Sequence, residues 1–263
     1  MIYKMNLDDL PFEKIRSGKK DIEMRLGDPR RSDIRAGDVI EFRHRDNGEV
    51  LLAAVTDVKS YANFSALYCD YDKTRLGYDV GDLANPRDME EYYAPEEIAR
   101  YGALAIEIIP LKKLTPGMLV DRGICPTCFD RNNNKLLYGD DSDMLICRND
   151  DFVCFLAGNP RAAGHAVISS AVHYKDMSEL PDELCKKSVV LAKKLMNAIK
   201  EVYGCVSVYM CTMCDGPMNH FHLQLIPRYA DEKRGSSNFV KPRFEYLCDI
   251  ERLEKLRKIM KNV

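Results

Sequence analysis

The sequence predicts an α+β protein in two parts: a small β-rich barrel, then a domain with an antiparallel sheet and one long helix. Three observations carry this. Up to about Lys113, short strand-like runs alternate with Gly and Asn-Gly turns. Pro116-Gly117 then punctuates the chain. Beyond it, further strand-like runs surround one long amphipathic helical run. The expected boundaries are 1–113 and 114–263.

In order, Phe12 to Arg16 reads as a short helix entering the turn Ser17-Gly18. Strands are expected at Asp21–Leu26, Val39–Arg45, Val50–Ser60 and Ala103–Pro110, with Asn47-Gly48 as a two-residue hairpin turn. After Asn85-Pro86 comes a short acidic, tyrosine-rich helical stretch. In the second part, strands are expected at Met144–Arg148, Phe152–Leu156 and Gly164–Ser169. Pro181 to Tyr203 repeats Leu184, Leu191, Leu195, Ile199 and Val202 at helical spacing, with Pro181 at its start and Gly204 at its end. Val206–Met213 and His220–Ile226 read as a strand pair, Ala230–Pro242 as loop, and Ile250 to Met260 as a last helix.

The chain has 263 residues, 46% of them hydrophobic and 30% charged, with a net charge of −2. Its longest apolar runs, such as Ala103 to Ile109, are too short for a membrane span, and the N-terminal residues lead us to expect no signal peptide. Ten cysteines that include two C-x-x-C pairs point to a reducing cytoplasm rather than a disulfide scaffold.

The chemistry concentrates in His220-Phe221-His222-Leu223-Gln224. On a strand His220, His222 and Gln224 share one face, and Phe221, Leu223 and Leu225 share the other. His165 and His173 flank a neighbouring strand. Cys125 and Cys128 form a C-x-x-C turn, open between a redox pair, two idle thiols and half of a tetrahedral zinc site completed by two histidines. Cys211 and Cys214 are expected to pack rather than chelate.

Gly164-His165, then His173 leading into Ser178-Glu179-Leu180, then His220-x-His222-x-Gln224 ending in Ile226-Pro227-Arg228, resembles the histidine triad (HIT) superfamily over about Cys125 to Arg228. Glutamine in the third place is similar to the branch containing galactose-1-phosphate uridylyltransferase and the dinucleoside polyphosphate phosphorylases. The resemblance implies a structural zinc on Cys125, Cys128, His173 and His220, with His222 as nucleophile toward an α-phosphorus. It implies that Gln224 binds a phosphoryl oxygen and that His165 is a further active-site histidine. Two departures stand out. Pro217 occupies the place of the usual phosphate-binding serine, and Ala157 that of the ribose-binding acid. Asn219, Arg161 and Arg228 are candidate replacements.

Pro11 to Leu26 and Ile34 to Phe42, with G-K-K-x-x-E-x-R and G-D-x-I-x-F in order, resemble the ASCH domain, a relative of the PUA RNA-binding barrels, over residues 1–112. That resemblance implies RNA or nucleotide binding and makes Lys20, Glu23 and Arg25 substrate-binding candidates. The residues themselves, with Asp21, Glu23 and Asp28 balancing the basic cluster, favour a solvated charged face. The resulting expectation is a nucleotidyl transferase or hydrolase acting on a nucleotide or nucleotidylated substrate, with RNA as a further partner and no membrane partner. Pairing into a homodimer is compatible with the resemblance. The alternatives are a dinucleoside polyphosphate hydrolase and a non-catalytic RNA-binding protein.

Overall fold

The computed structural model describes residues 1–139, 142–214, 216–234, 242–245 and 248–261. They form two compact units, Met1–Gly139 and Asp140–Val263. Both are α+β, as expected.

The first unit is a five-stranded mixed sheet curved into a half-barrel, in the order β1-β3-β4-β5-β2. Its strands are β1 (Ile2–Leu7), β2 (Ile22–Leu26), β3 (Val39–His44), β4 (Val50–Tyr61) and β5 (Ala103–Pro110). Only β1, which the sequence reading missed, pairs in parallel, with β3. The β3–β4 hairpin forms at Asn47-Gly48, with Gly48 at φ +73°, but its turn is longer than two residues: His44 N donates to Glu49 O. Helices α1 (Asp9–Ser17), α2 (Phe64–Asp70), α3 (Lys73–Leu76) and α4 (Pro95–Tyr101) cover the sheet.

The compact unit that runs to Gly139 also holds α5 (Pro116–Asp121) and α6 (Pro126–Asn132). Thr115 caps α5 by accepting from Met118 N, and Pro116 occupies the first turn, so the Pro-Gly pair starts a helix. Leu119 and Phe129 then pack with Val39 and Ala54 of the sheet.

The second unit is an antiparallel sheet in the order β6-β7-β8-β10-β9. Its strands are β6 (Leu145–Arg148), β7 (Phe152–Leu156), β8 (Ala166–Ser170), β9 (Ser207–Cys211) and β10 (His222–Arg228). Helix α7 (Asp182–Tyr203) buries Leu191, Leu195 and Ile199 against the sheet's Ile168, Leu223 and Leu225. Helix α8 (Ile250–Ile259) adds Leu253 and Leu256. Residues 235–241 of the expected loop lie outside the described residues. No described helix is long and apolar enough to cross a membrane.

Candidate active site

Strand alternation builds the site. Leu223 pairs with Ile168, and both enter the core; His222 pairs with Ser169 and Gln224 with Val167, on the opposite face. His220 precedes the strand, so it is held by other means. Its Nε2 lies 2.9 Å from Ser170 O and 3.2 Å from Ser170 Oγ. A carbonyl can only accept, so the proton is on Nε2 and the lone pair on Nδ1.

His222 takes the opposite tautomer. Its Nδ1 donates to His220 O at 2.9 Å, which leaves Nε2 as the basic nitrogen, and Gln224 Nε2 donates to it at 3.3 Å. The backbone of one histidine thus fixes the ring of the next.

His165 is 1% exposed and comes from the β7–β8 loop. Its Nδ1 accepts from Arg161 N at 3.1 Å, so Nε2 carries the proton. Gly164 permits this approach: its φ is +77°, and a Cβ there would meet the Tyr203 ring at 2.8 Å. His165 Nε2 and Gln224 Oε1 are buried without a hydrogen-bond partner among the described residues. Burial lowers the His165 pKa to about 4, with help from the charges of Arg243 and Arg161, while the Gln224 amide opposes them. His165 is therefore a neutral donor at pH 7.

This has a measurable consequence. In the unfolded chain His165 takes up a proton near pH 6.5, before the folded protein does. Its neutral burial stabilises fully above that pH and loses its effect as pH falls toward 4. In urea titrations, the stability gap between wild type and His165→Gln should shrink by up to about 3 kcal/mol from pH 7 to pH 4. A gap that stays constant would contradict the neutral assignment.

Cys125 and Cys128 of the first unit and His173 and His220 of the second together offer a donor set able to hold a metal ion. Cys125 caps α6 and Cys128 lies one turn on, which puts both thiols on one helix face. The Cys125 thiol, followed by burial, pushes the Cys128 thiol far up, as expected for two thiols that both ionise only beside a cation. His173 and His220 meet edge to face with ring centroids 5.3 Å apart. Two thiols and two imidazoles match the donor chemistry of tetrahedral zinc.

Two expected substrate contacts do not join the site. Arg228 lies at the far end of β10, about 20 Å along the strand from His222, and donates to Ser207 Oγ, Tyr229 O and Glu232 O. The Asn219 amide is committed to both backbone groups of Gly216. Arg161 does join, through its contact with His165. Sequence reasoning missed Ser170 and Arg243; a backbone acceptor and a lone arginine in a polar tract carry no motif.

In the first unit, Glu23 is 1% exposed and lies between Lys20 Nζ at 3.0 Å and Arg25 NH2 at 2.7 Å. Burial would raise its carboxyl pKa, but Arg25 and Lys20 outweigh burial and hold it below the usual range. The three line one cavity of about 370 Å³ that also includes Tyr68 and Tyr78. A second cavity of similar size is lined by Arg25, Arg30, Arg31, Arg45, Tyr92 and Tyr93.

Comparison with known proteins finds two domains in the chain. An ASCH domain model matches residues 5–112 and a HIT domain model residues 139–231. An uncharacterized HIT-like protein of Methanocaldococcus jannaschii, MJ0866, is 31% identical over 37% of this chain and 78% of its own length. The chain belongs to the HIT family. The adenosine 5'-monophosphoramidase HNT1 of Saccharomyces cerevisiae is 33% identical over 31% of this chain, which spans about half (51%) of that protein. Among solved structures, protein PF0455 from Pyrococcus furiosus is 31% identical, covering 43% of this chain and 99% of that one, with a TM-score of 0.34. This HIT protein thus carries an ASCH domain ahead of its HIT domain.

Proposed function

We propose that this HIT protein is a nucleotidyl transferase or hydrolase that works through a covalent nucleotidyl-histidine on His222. The observation that carries the reading is the His222 tautomer: Nδ1 is tied to a carbonyl, and Nε2 faces the open side of the sheet beside Gln224. His222 Nε2 forms a bond to the α-phosphorus as the bond to the leaving group breaks, and the electron pair goes to the leaving group. An acceptor, either water or a phosphate, then displaces Nε2. Gln224 binds a nonbridging oxygen through its amide N–H.

Neither Gln224 nor the neutral His165 is suited to give a proton to a leaving group at pH 7. Groups that depart as stable anions are favoured over amines, so phosphoanhydrides are the substrates this site fits best. Rapid acid-free quenching with an α-labelled nucleotide tests the intermediate. Label should appear on wild type and be absent from His222→Asn; equal labelling of the two, or none on wild type, would sink the covalent step.

Zinc on Cys125, Cys128, His173 and His220 would serve structure: it would fix His220, whose carbonyl orients His222. Cys128→Ser should lower bound zinc from about one per chain to well below half, read by elemental analysis. Full zinc in that variant would exclude the assignment.

The arginine- and tyrosine-lined cavity of the first unit suits single-stranded RNA, with phosphates on arginines and bases on rings. Arg31 is partly offset by Asp28 and Arg45 by Asp8. Changing Arg30 and Arg31 to Ala should weaken RNA binding and reduce its salt slope by about 1 to 2, measured by anisotropy. An unchanged slope would contradict this role. We place the protein in the cytoplasm, where its thiols would remain reduced.

A further inference from the structure

The β7–β8 loop is closed by Ala157 N donating to His165 O at 2.9 Å and His165 N donating to Ala162 O at 3.0 Å. A stretch remote in sequence is fastened to it. Arg243 NH1 donates to Asn159 O at 2.9 Å, and Phe244 N donates to Pro160 O at 3.1 Å. The next residue, Arg161, holds the His165 ring through its backbone. Two guanidinium-bearing residues therefore anchor on consecutive parts of the loop that carries His165.

The Asn159 bond uses one of the five donors of Arg243. Its charge reaches the site: after burial it contributes most to depressing the His165 basicity, ahead of Arg161. His165 Nε2–H and Gln224 Oε1 are both buried and face each other without a hydrogen bond of ordinary geometry among the described residues. The family's usual phosphate-binding serine is replaced by Pro217 and its ribose-binding acid by Ala157. Arg243 and Arg161 both attach to the loop that carries His165.

We infer that Arg243, together with Arg161, binds the departing phosphoryl group, making this site selective for nucleotides with at least one phosphate beyond the α-phosphate. This rests on the covalent reading above. When His222 Nε2 bonds to the α-phosphorus, the Pα–O bond breaks and its electron pair stays on the departing phosphate oxygen. A guanidinium can meet that anion with two parallel N–H···O bonds and no proton transfer.

Titration calorimetry of the full chain with inorganic pyrophosphate and with AMP tests this without turnover. Arg243→Gln should weaken pyrophosphate at least about tenfold and AMP less than about threefold, and Arg243→Lys should recover part of the loss. Lys255→Gln, an exposed change on α8, should alter neither. Unchanged pyrophosphate affinity in Arg243→Gln, equal losses for both ligands, or no pyrophosphate binding by wild type would overturn the inference. The covalent reading is judged separately, by label on His222. Selective loss of pyrophosphate without any label would retain the phosphate site and remove the intermediate.

Discussion

Asparagine in place of His222 is expected to cut turnover of a phosphoanhydride nucleotide about a thousandfold or more, equivalent to about 4 kcal/mol of lost transition-state stabilisation. Asparagine can still donate to His220 O, so the strand start should keep its backbone. It has no basic nitrogen to attack phosphorus. The loss should fall on kcat, with KM changing little, because Nε2 forms its bond only on the way to the transition state. Steady-state kinetics on the two proteins would show this. A loss confined to KM would recast His222 as a binding residue.

The second large effect lies in the first unit. Glu23→Gln should destabilise it by about 3 kcal/mol or more, because Lys20 and Arg25 would be left as buried cations without a counter-charge. The effect should be local, so it is best read by hydrogen exchange of the β2 amides. Those amides should exchange about a hundredfold faster in the variant if β2 opens with its unit. A change of less than threefold would mean that solvent screens the triad, and that Glu23 serves a ligand more than the fold. Either result sorts the motif Lys20-x-x-Glu23-x-Arg25 between structure and binding.

Much of this architecture was legible in the sequence for physical reasons. Leu223 and Leu225 alternate with His222 and Gln224, so one face had to enter the core and the other had to remain available for chemistry. The long helix α7 announced itself by apolar spacing and by Gly204 at its end. What was not legible depends on contacts far apart in the chain. Ser170 holds His220 through a backbone carbonyl, which every residue has. Arg243 reaches the β7–β8 loop from 84 positions away. Arg228 looked like part of the motif because it follows it closely, but strand rise carries it away from His222. Pro116-Gly117 would break structure in a linker but starts a helix behind Thr115, and only the cap decides between the two.

The most direct test of the nucleotidyl-histidine is stereochemical. A nucleotide made chiral at its α-phosphorus with sulfur and oxygen isotopes would be turned over, and the product configuration read by phosphorus NMR. Each in-line displacement inverts phosphorus, so attack by His222 followed by attack of the acceptor predicts net retention. Net inversion would mean one direct displacement by the acceptor, and would contradict a covalent role for His222.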